Sequence, residues 1–267
     1  MTDLNWSRHG SGEPVLMIMG LATSGRGWRR LLPHVAGSYE AIVFDNRGTG
    51  RSPRVTGPSS MAALVDDALS VLDAAGHDSA HVLGASMGGM VAQHLALEHR
   101  DRVRSLGLIC TTPVGTSGTP PWRMVASMVV GPFLSPERRA ELSAPLLYSE
   151  RTRRTRRDLL AEDLRSRLED PTPAKTSWAQ IAAIQRHDTR HRLSELEGLP
   201  VTVVHGDEDR LVPTDRGREL AAAIPGARLE LVAHAGHQLT TDNEPDASAA
   251  VLGHLAWARG VSDRRAA

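Results

Sequence analysis

The feature that most constrains the fold of this chain is a serine between two glycines at the end of an apolar run. Residues 80–85 form that run, Ser86 follows directly, and residues 87–98 have helical periodicity. A G-x-S-x-G sequence alone is a weak motif. Between a buried strand and a helix it predicts a sharp turn, with no room for side chains on Gly84 and Gly88 and with the Ser86 hydroxyl above a sheet.

Short aliphatic runs alternate with amphipathic stretches along most of the chain, which is typical of strand–helix–strand units around a mostly parallel sheet. Strands are predicted at 15–19, 41–45, 80–85, 105–110, 201–205 and 228–233, and helices at 60–75, 87–98, 214–224 and 246–258. In the first helix the apolar residues recur with the helical period, and Gly76 stands where a helix-ending glycine belongs.

The alternation of strand and helix patterns stops after Pro113 and resumes at about Leu196. We interpret residues 113–196 as an inserted helical cap, which divides the core into residues 1–112 and 197–267. The only dense basic patch lies in this insertion and consists of Arg151, Arg153, Arg154, Arg156, Arg157, Arg165 and Arg167, interleaved with Glu162, Asp163 and Glu169. Such interleaving indicates a solvated helix face, and a site for an acidic substrate or nucleic acid is the alternative.

Composition narrows the class of partner. Basic and acidic residues number 31 each, so no net field would attract nucleic acid or an anionic membrane, and a small-molecule partner is favoured. The best candidate for a membrane segment, residues 124–134, is too short to span and contains Gly131 and Pro132. One cysteine, together with a start that is neither basic nor apolar, predicts a cytoplasmic protein without disulfides.

Candidate partners for Ser86 follow the last two predicted strands. A serine hydroxyl is a weak nucleophile, so it needs a base within hydrogen-bond reach and an acid that orients the base. Since the C-terminal ends of parallel strands meet at one edge of a sheet, the loops after these strands are expected to converge on the serine. Their candidate residues are the acids Asp207, Glu208 and Asp209 and the histidines His234 and His237.

At these residues the chain resembles the α/β-hydrolase superfamily, and in particular the small esterases and lactonases that include 3-oxoadipate enol-lactonases and aclacinomycin methylesterases. Ser86 matches the family's nucleophile, its H-G-x-x-D acid loop matches residues 205–209 and implies Asp209, and its late G-H pair implies His237. The resemblance implies an α/β fold with a mostly parallel central sheet flanked by helices and a helical cap after the sixth strand. It implies no cofactor.

The resemblance also implies an oxyanion hole formed by the backbone N–H groups of Leu21 and Met87. The family commonly has His-Gly at the first of these turns, whereas this chain has Met19 and Gly20. Because the donors are backbone groups, they are retained despite this change. Residues 45–52 match the family's D-x-R-G-x-G-x-S segment, which shapes a turn beside the site, and they fit no phosphate-binding motif.

The reaction implied is hydrolysis of a carboxylic ester or lactone through an acyl-enzyme intermediate. A serine at position 86 argues against relatives that use a carboxylate nucleophile. Carbon–carbon bond hydrolases with the same triad are one alternative, although such relatives often have an aromatic residue after the catalytic histidine, where this chain has Gln238 and Leu239. A non-catalytic ligand-binding protein of the same fold is the other, and a homodimer stays open.

The substrate pocket is the least constrained feature. An early face of the cap either lines an apolar pocket or packs the cap on the core, and the pocket candidates are Trp122, Val125, Met128, Val129 and Gln238. The spacing of His94, Glu98 and His99 fits no zinc-hydrolase motif, so no metal site is predicted, and Cys110 is interpreted as a small core residue.

A neutral substrate is expected, because Asp45 and the three acids of the loop at 207–209 give the sheet edge a negative charge. Arg47 and Arg210 are the basic residues that are able to compensate it. Each is interpreted as pairing with a carboxylate in its own turn.

Overall fold

Seven strands lie in one sheet in the computed structural model of the chain, which describes residues 3–54, 59–115, 126 and 130–266. The strands are β1 (Trp6–His9), β2 (Pro14–Ile18), β3 (Glu40–Phe44), β4 (Ala80–Ala85), β5 (Val103–Ile109), β6 (Val201–Gly206) and β7 (Arg228–Val232). Their order is β1-β3-β2-β4-β5-β6-β7, and only β1 runs antiparallel to its neighbour.

Helices of the described residues follow most of the strands. They are α1 (Leu32–Ala36), α2 (Met61–Ala74), α3 (Met87–Glu98), α4 (Pro136–Leu147), α5 (Glu150–Thr155), α6 (Arg157–Glu169), α7 (Ala174–Gln185), α8 (Thr214–Ala223), α9 (Leu239–Asp242) and α10 (Glu244–Ala266). Short 3-10 helices lie at Gly25–Trp28, Arg100–Arg102, Gly131–Phe133 and Leu193–Leu196. No helix within these described ranges is both long and apolar enough to cross a bilayer.

Both faces of the sheet are buried, which explains why its strands read as continuous apolar runs. On β2, Leu16 packs into the cluster beneath helices α2, α3 and α8, whereas its neighbour Met17 packs into the cluster beneath α1 and α10. Successive side chains of a strand point to opposite faces, so each buried strand serves both clusters. The predicted mostly parallel sheet flanked by helices is confirmed.

The predicted strands agree with the structure to within two residues, and helix α10 continues beyond its predicted end at 258 to Ala266. Strand β1 and the short helices α1 and α9 were not predicted. Strand β1 is a largely exposed edge strand whose sequence, Trp-Ser-Arg-His, has no apolar run. Helix α2 begins after Ser60, whose hydroxyl accepts a hydrogen bond from the Ala63 N–H at 3.1 Å, and Gly76 follows its end with φ of +82°. The capping signals in the sequence thus fix this helix.

Residues 113–196, which we call the inserted segment, leave the sheet after β5 and return before β6. Its two ends are joined by a bridge between Val114 and Asp188 and by a 2.7 Å hydrogen bond from Gly115 N to His187 O. The segment follows the fifth strand of the described sheet, not a sixth as the family resemblance implies. One strand fewer therefore precedes it here.

Asp163 joins the inserted segment to the core. Its buried carboxylate accepts hydrogen bonds from Tyr148 Oη at 2.9 Å and Thr241 Oγ1 at 2.8 Å, and it pairs with the guanidinium groups of Arg29 and Arg30. Such a buried charge is stable only because several donors surround it.

The acids that interleave with the basic patch pair with arginines of the core, Asp163 with Arg29, Glu162 with Arg30 and Glu169 with Arg26. Most arginines of the patch are consequently exposed and face solvent.

A chain of buried polar side chains crosses the sheet. His81 Nδ1 lies 2.8 Å from Ser105 Oγ, which lies 3.0 Å from His254 Nε2, and His254 Nδ1 lies 2.9 Å from Thr202 Oγ1. Burial lowers the pKa of His254 to about 3. Burial also lowers the pKa of His187, which lies where the two ends of the inserted segment meet, to about 4. Both histidines are therefore neutral in the folded protein near pH 7.

We expect the free energy of unfolding to fall as the pH is lowered from about 6.5 towards 4. In the unfolded chain His254 and His187 take up protons near the ordinary pKa of 6.5, whereas in the fold they resist protonation until the pH approaches their lowered pKa values. Below pH 6.5 the unfolded state thus binds more protons, which costs about 2 kcal/mol of stability per histidine at about pH 5. Urea unfolding at several pH values measures the slope. His254→Asn should flatten it, and an unchanged slope in that variant would refute the assignment.

Candidate active site

Ser86 occupies a strained turn between β4 and α3. Its φ of 54° and ψ of −118° lie outside the regions that side chains ordinarily allow. A Cβ on Gly84 would lie 2.4 Å from Gly88 O, and a Cβ on Gly88 would lie 2.0 Å from Ile18 O, so neither position has room for a side chain. The sharp turn predicted from the motif is present.

Backbone strain is concentrated at one edge of the sheet. In the part of the chain that the structure describes, four residues other than glycine have positive φ, and these are Ala22, Ser86, Cys110 and His234. Each lies in a loop just after the C-terminal end of a parallel strand, after β2, β4, β5 and β7 respectively. Strained residues are retained where the surroundings hold them, and they cluster at functional sites.

Ser86 contacts two of the neighbouring loops. Its N–H donates to Ile109 O at 2.8 Å, and its carbonyl accepts from Thr111 Oγ1 at 2.8 Å, so the turn is joined to the end of β5. On the other side lies the turn after β2, where a Cβ on Gly20 would be 3.1 Å from Ser86 Cβ and 3.7 Å from Ser86 Oγ. The absence of a side chain at Gly20 keeps space open in front of the hydroxyl.

The two predicted oxyanion donors directly follow Ser86 and Gly20 in the chain. Met87 is the first residue of α3, and Leu21 follows Gly20. Within the described ranges, neither backbone N–H donates a hydrogen bond to another residue. The N-terminus of a helix also favours a negative charge, so an anion at this point would meet free donors.

The turn after β2 is supported by residues of the segment at 45–52. Asn46 Nδ2 donates to Met19 O at 2.8 Å, and Asp45 accepts backbone N–H bonds from Gly25 at 2.7 Å and Arg51 at 2.9 Å. This segment therefore shapes the turn beside Ser86, as the resemblance implied.

Asp209 and His237 are hydrogen-bonded to each other. Asp209 Oδ2 lies 2.8 Å from His237 Nδ1, while Asp209 Oδ1 accepts the backbone N–H groups of Leu211 and Val212, each at 2.9 Å. Burial raises the pKa of Asp209, but the charge and hydrogen bonds of His237 and His205 outweigh burial and hold that pKa well below its ordinary value. The carboxylate is thus ionised and oriented towards His237.

His205 is a second histidine on the same carboxylate, and this contact was not predicted from the sequence. Its ring is buried, with Nε2 2.9 Å from Val212 O and 3.4 Å from Asp209 Oδ2. Because Val212 O only accepts, Nε2 of His205 carries the proton. The contact with Asp209 adds a donor to the acid loop.

The other acids and histidine of these loops have different partners. Asp207 is exposed and accepts the Ala235 N–H at 3.3 Å, and Glu208 accepts the Glu150 N–H at 3.1 Å. His234 is exposed and lies 3.8 Å from Glu208. The geometry therefore brings Asp209, and neither Asp207 nor Glu208, to His237.

Contacts that the sequence did not indicate join the loop of His237 to the inserted segment. Asp242 Oδ2 accepts the N–H groups of Gly236 at 2.7 Å and Ser149 at 2.9 Å, and Gln238 N donates to Leu147 O at 2.9 Å. Burial raises the pKa of Asp242. The inserted segment thus fixes the backbone on both sides of His237.

Cys110 lies closer to the acid and base than its interpretation as a core residue implied. Its Sγ, one carboxylate oxygen of Asp209 and one ring nitrogen of His237 all lie within 4.8 Å of one another. Burial, and next the charge of Asp209, raise the pKa of Cys110 well above its ordinary value, so the thiol stays protonated and is no nucleophile. Since Ser86 N bonds to Ile109 O, directly before Cys110, the end of β5 connects the serine turn to the acid–base pair.

The partner predicted for Arg47 is wrong. Arg47 Nε and Nη2 pair with the carboxylate of Asp67 on helix α2, at 2.5 and 2.7 Å, rather than with an acid of its own turn. The acid of that turn, Asp45, is already occupied by backbone donors. Arg210 is exposed.

The predicted cap residues Trp122, Val125, Met128 and Val129 lie outside the described residues. Gln238 is half-buried directly after His237. Two surface grooves, of about 440 and 260 Å³, lie between β7 and α10 and beside β3, and neither is lined by Ser86, Asp209 or His237.

Comparison with known proteins agrees with this architecture. The chain is 31% identical over 252 residues to a protein of Azorhizobium caulinodans named "Putative carbamate hydrolase RutD", with 90% of this chain and 91% of the relative covered. A thermophilic esterase from Thermogutta terrifontis is 25% identical, with a TM-score of 0.83 over 97% of this chain and 93% of that one. The enol-lactonase from Burkholderia xenovorans LB400, 23% identical, shares the fold with a TM-score of 0.84 over 95% and 96% of the two chains.

A family match over most of the chain accompanies this geometry, which consists of the sheet, the serine turn and the hydrogen-bonded carboxylate and imidazole at one sheet edge. Residues 13–243 match the model of the alpha/beta hydrolase fold, and the chain therefore belongs to the α/β-hydrolase fold family.

Proposed function

We propose that this protein is a serine hydrolase that cleaves a carboxylic ester or lactone, with Ser86 as nucleophile, His237 as base and Asp209 as acid. The observation that carries the proposal is the 2.8 Å hydrogen bond between Asp209 and His237 at the sheet edge where Ser86 stands in its strained turn. A serine, an imidazole and a buried carboxylate with these contacts fit the roles of a catalytic triad.

The hydrogen bonds of Asp209 define which nitrogen of His237 acts as the base. The carboxylate is ionised and only accepts, so Nδ1 of His237 carries the proton. Nε2 then has a free lone pair with which to take the proton of the Ser86 hydroxyl.

The reaction proceeds in two acyl transfers. Ser86 Oγ attacks the carbonyl carbon as its proton passes to His237, and the oxyanion is stabilised by the N–H groups of Leu21 and Met87, which have no other acceptor among the described residues. His237 then protonates the leaving oxygen. Water attacks the acyl-enzyme by the reverse route and releases the acid.

We assign residues 113–196 to a helical cap on a core of residues 1–112 and 197–267. The cap's described contacts with the core include those of Asp163 and Asp242, and Asp242 lies in the chain shortly after His237. Bound substrate would lie between the cap and the sheet edge. We place this chemistry in the cytoplasm, consistent with the single, buried, reduced cysteine.

A carbamate is the second candidate substrate, and it is favoured by the name of the Azorhizobium caulinodans relative. Its carbonyl passes through the same tetrahedral oxyanion as an ester. Turnover of matched activated esters, lactones and carbamates, with a carbon–carbon cleavage substrate as a fourth class, distinguishes these functions. Hydrolysis of an ester or lactone supports the proposal, preference for the carbamate selects the second candidate, and binding without any turnover contradicts both.

Among esters, a neutral one should have a kcat/KM about ten-fold above that of a matched ester with a remote carboxylate, a difference of about 1.4 kcal/mol. The reason is that Arg47 is held by Asp67 and Arg29 by Asp163, so these cations are not free to bind an anion. Arg210, the other cation named from the sequence, is exposed, so Arg210→Gln should leave the ratio unchanged, and Arg218→Gln at an exposed position of helix α8 is the control. A ten-fold preference for the anionic ester would refute this expectation.

A further inference from the structure

The inserted segment holds one residue of the turn after β2 from both sides. Ala22 N donates to Gln180 Oε1 at 2.8 Å, and Ala22 O accepts from Thr172 Oγ1 at 3.0 Å. Gln180 belongs to helix α7 and Thr172 lies two residues before the start of that helix, so both are more than a hundred residues away from Ala22 in the chain. Both backbone polar groups of Ala22 are therefore bound by side chains of the inserted segment.

Ala22 needs such support. Its φ of 54° is unfavourable for a residue with a Cβ, and such a conformation persists only where the surroundings hold it. Within the turn itself the contacts are weaker, with Thr23 N at 3.4 Å from Gly20 O and Thr23 Oγ1 at 3.1 Å from Leu21 O. The Ala22 N–H belongs to the peptide that follows Leu21, so a hydrogen bond to it restrains Leu21 and, through the Leu21 dihedrals, the direction of the Leu21 N–H one peptide earlier.

The side chain of Gln180 is placed for this contact and not merely for packing. It is fully buried, and because Ala22 N–H is a donor, the carboxamide oxygen must face it. Its Nε2 is consequently buried without a hydrogen-bond partner in the described part of the chain. An unsatisfied buried donor is unfavourable, and an apolar side chain of the same size would avoid it.

We propose that Gln180 is a positioning residue for catalysis, which acts by holding Ala22 so that the Leu21 N–H points at the developing oxyanion. This inference rests on the proposed function, since it assumes that Leu21 is an oxyanion donor. It assigns to the inserted segment a role in the transition state in addition to covering the site. A misaligned donor loses most of its stabilising effect, so the role predicts an effect on kcat with little effect on substrate binding.

The test compares Gln180→Met, which keeps the size and removes the acceptor, with Gln180→Glu, which keeps an oxygen for Ala22 N–H. Gln185→Met makes the same change at an exposed position of helix α7 and serves as the control. We expect Gln180→Met to lower kcat at least about ten-fold with KM changed less than about two-fold, and to weaken a boronate transition-state analogue in parallel. Gln180→Glu and Gln185→Met should retain most of kcat.

Hydrogen exchange of the peptide that contains Ala22 gives a readout independent of turnover. Exchange should accelerate in Gln180→Met and in Thr172→Val, but not in Gln185→Met. Unchanged kcat and unchanged exchange in Gln180→Met would overturn the inference, as would a loss that Gln180→Glu shares equally. If the wild type hydrolyses no ester, lactone or carbamate, the proposed function fails instead, while faster exchange in Gln180→Met would still show that Gln180 holds the turn.

Discussion

Ser86→Ala is expected to lower turnover of an activated ester by roughly a million-fold, because the members of a triad act as a unit and the loss of the nucleophile removes the benefit of the others. The residual rate would come from the oxyanion donors and from substrate binding. Ser86 Oγ forms no hydrogen bond that supports the fold in the described residues, so the variant should remain folded. Initial rates and thermal unfolding of the purified variant measure both expectations.

Ser70→Ala is a matched control, since it removes a serine hydroxyl from helix α2, where that hydroxyl donates to Asp67 O at 2.8 Å. It should retain nearly full turnover. If Ser86→Ala kept more than a few per cent of the wild-type rate, another group would have to be the nucleophile.

The second large effect is expected at the acid: Asp209→Asn should lower kcat about ten-thousand-fold. The N–H groups of Leu211 and Val212 bind one oxygen of Asp209 and would keep the oxygen of the new amide on their side. The amide NH₂ would then face His237 Nδ1, which would have to accept. The proton of the imidazole would move to Nε2, the nitrogen that must accept the proton from Ser86.

Asp207→Asn tests whether this effect is specific. Asp207 is exposed and its described contact is a 3.3 Å bond from Ala235 N–H, which an amide oxygen replaces. We expect at most a small change in kcat. Equal losses in the two variants would mean that the acid loop has been misassigned.

Whether a feature of this protein can be predicted from the sequence depends on how far apart in the chain the interacting residues lie. The serine turn is encoded largely by its own motif, because a side chain on Gly84 would meet Gly88 and one on Gly88 would meet the end of strand β2. Helix α2 is likewise encoded by its own cap and periodicity. Strand β1 escaped prediction because an exposed edge strand has no apolar pattern, although it pairs fully with β3.

The site depends more on long-range contacts. Asp209 and His237 were selected by family resemblance, and their hydrogen bond supports that selection, but their catalytic roles stay predictions. Gln180, Asp163 and Asp242 act on residues from 6 to 158 positions away, and no spacing rule identifies such partners. The charges near Arg47 in the sequence also predicted the wrong partner, because its actual partner Asp67 lies on the next helix.

The central claim is that Ser86 is the nucleophile, and reaction with a fluorophosphonate followed by peptide mass spectrometry tests it most directly. We predict one adduct per chain, located on Ser86, with loss of ester turnover in proportion to labelling and with slow labelling in His237→Ala. Two results would contradict the assignment. One is full ester turnover by protein that stays unlabelled in excess fluorophosphonate, and the other is an adduct on a different residue that accounts for the loss of activity.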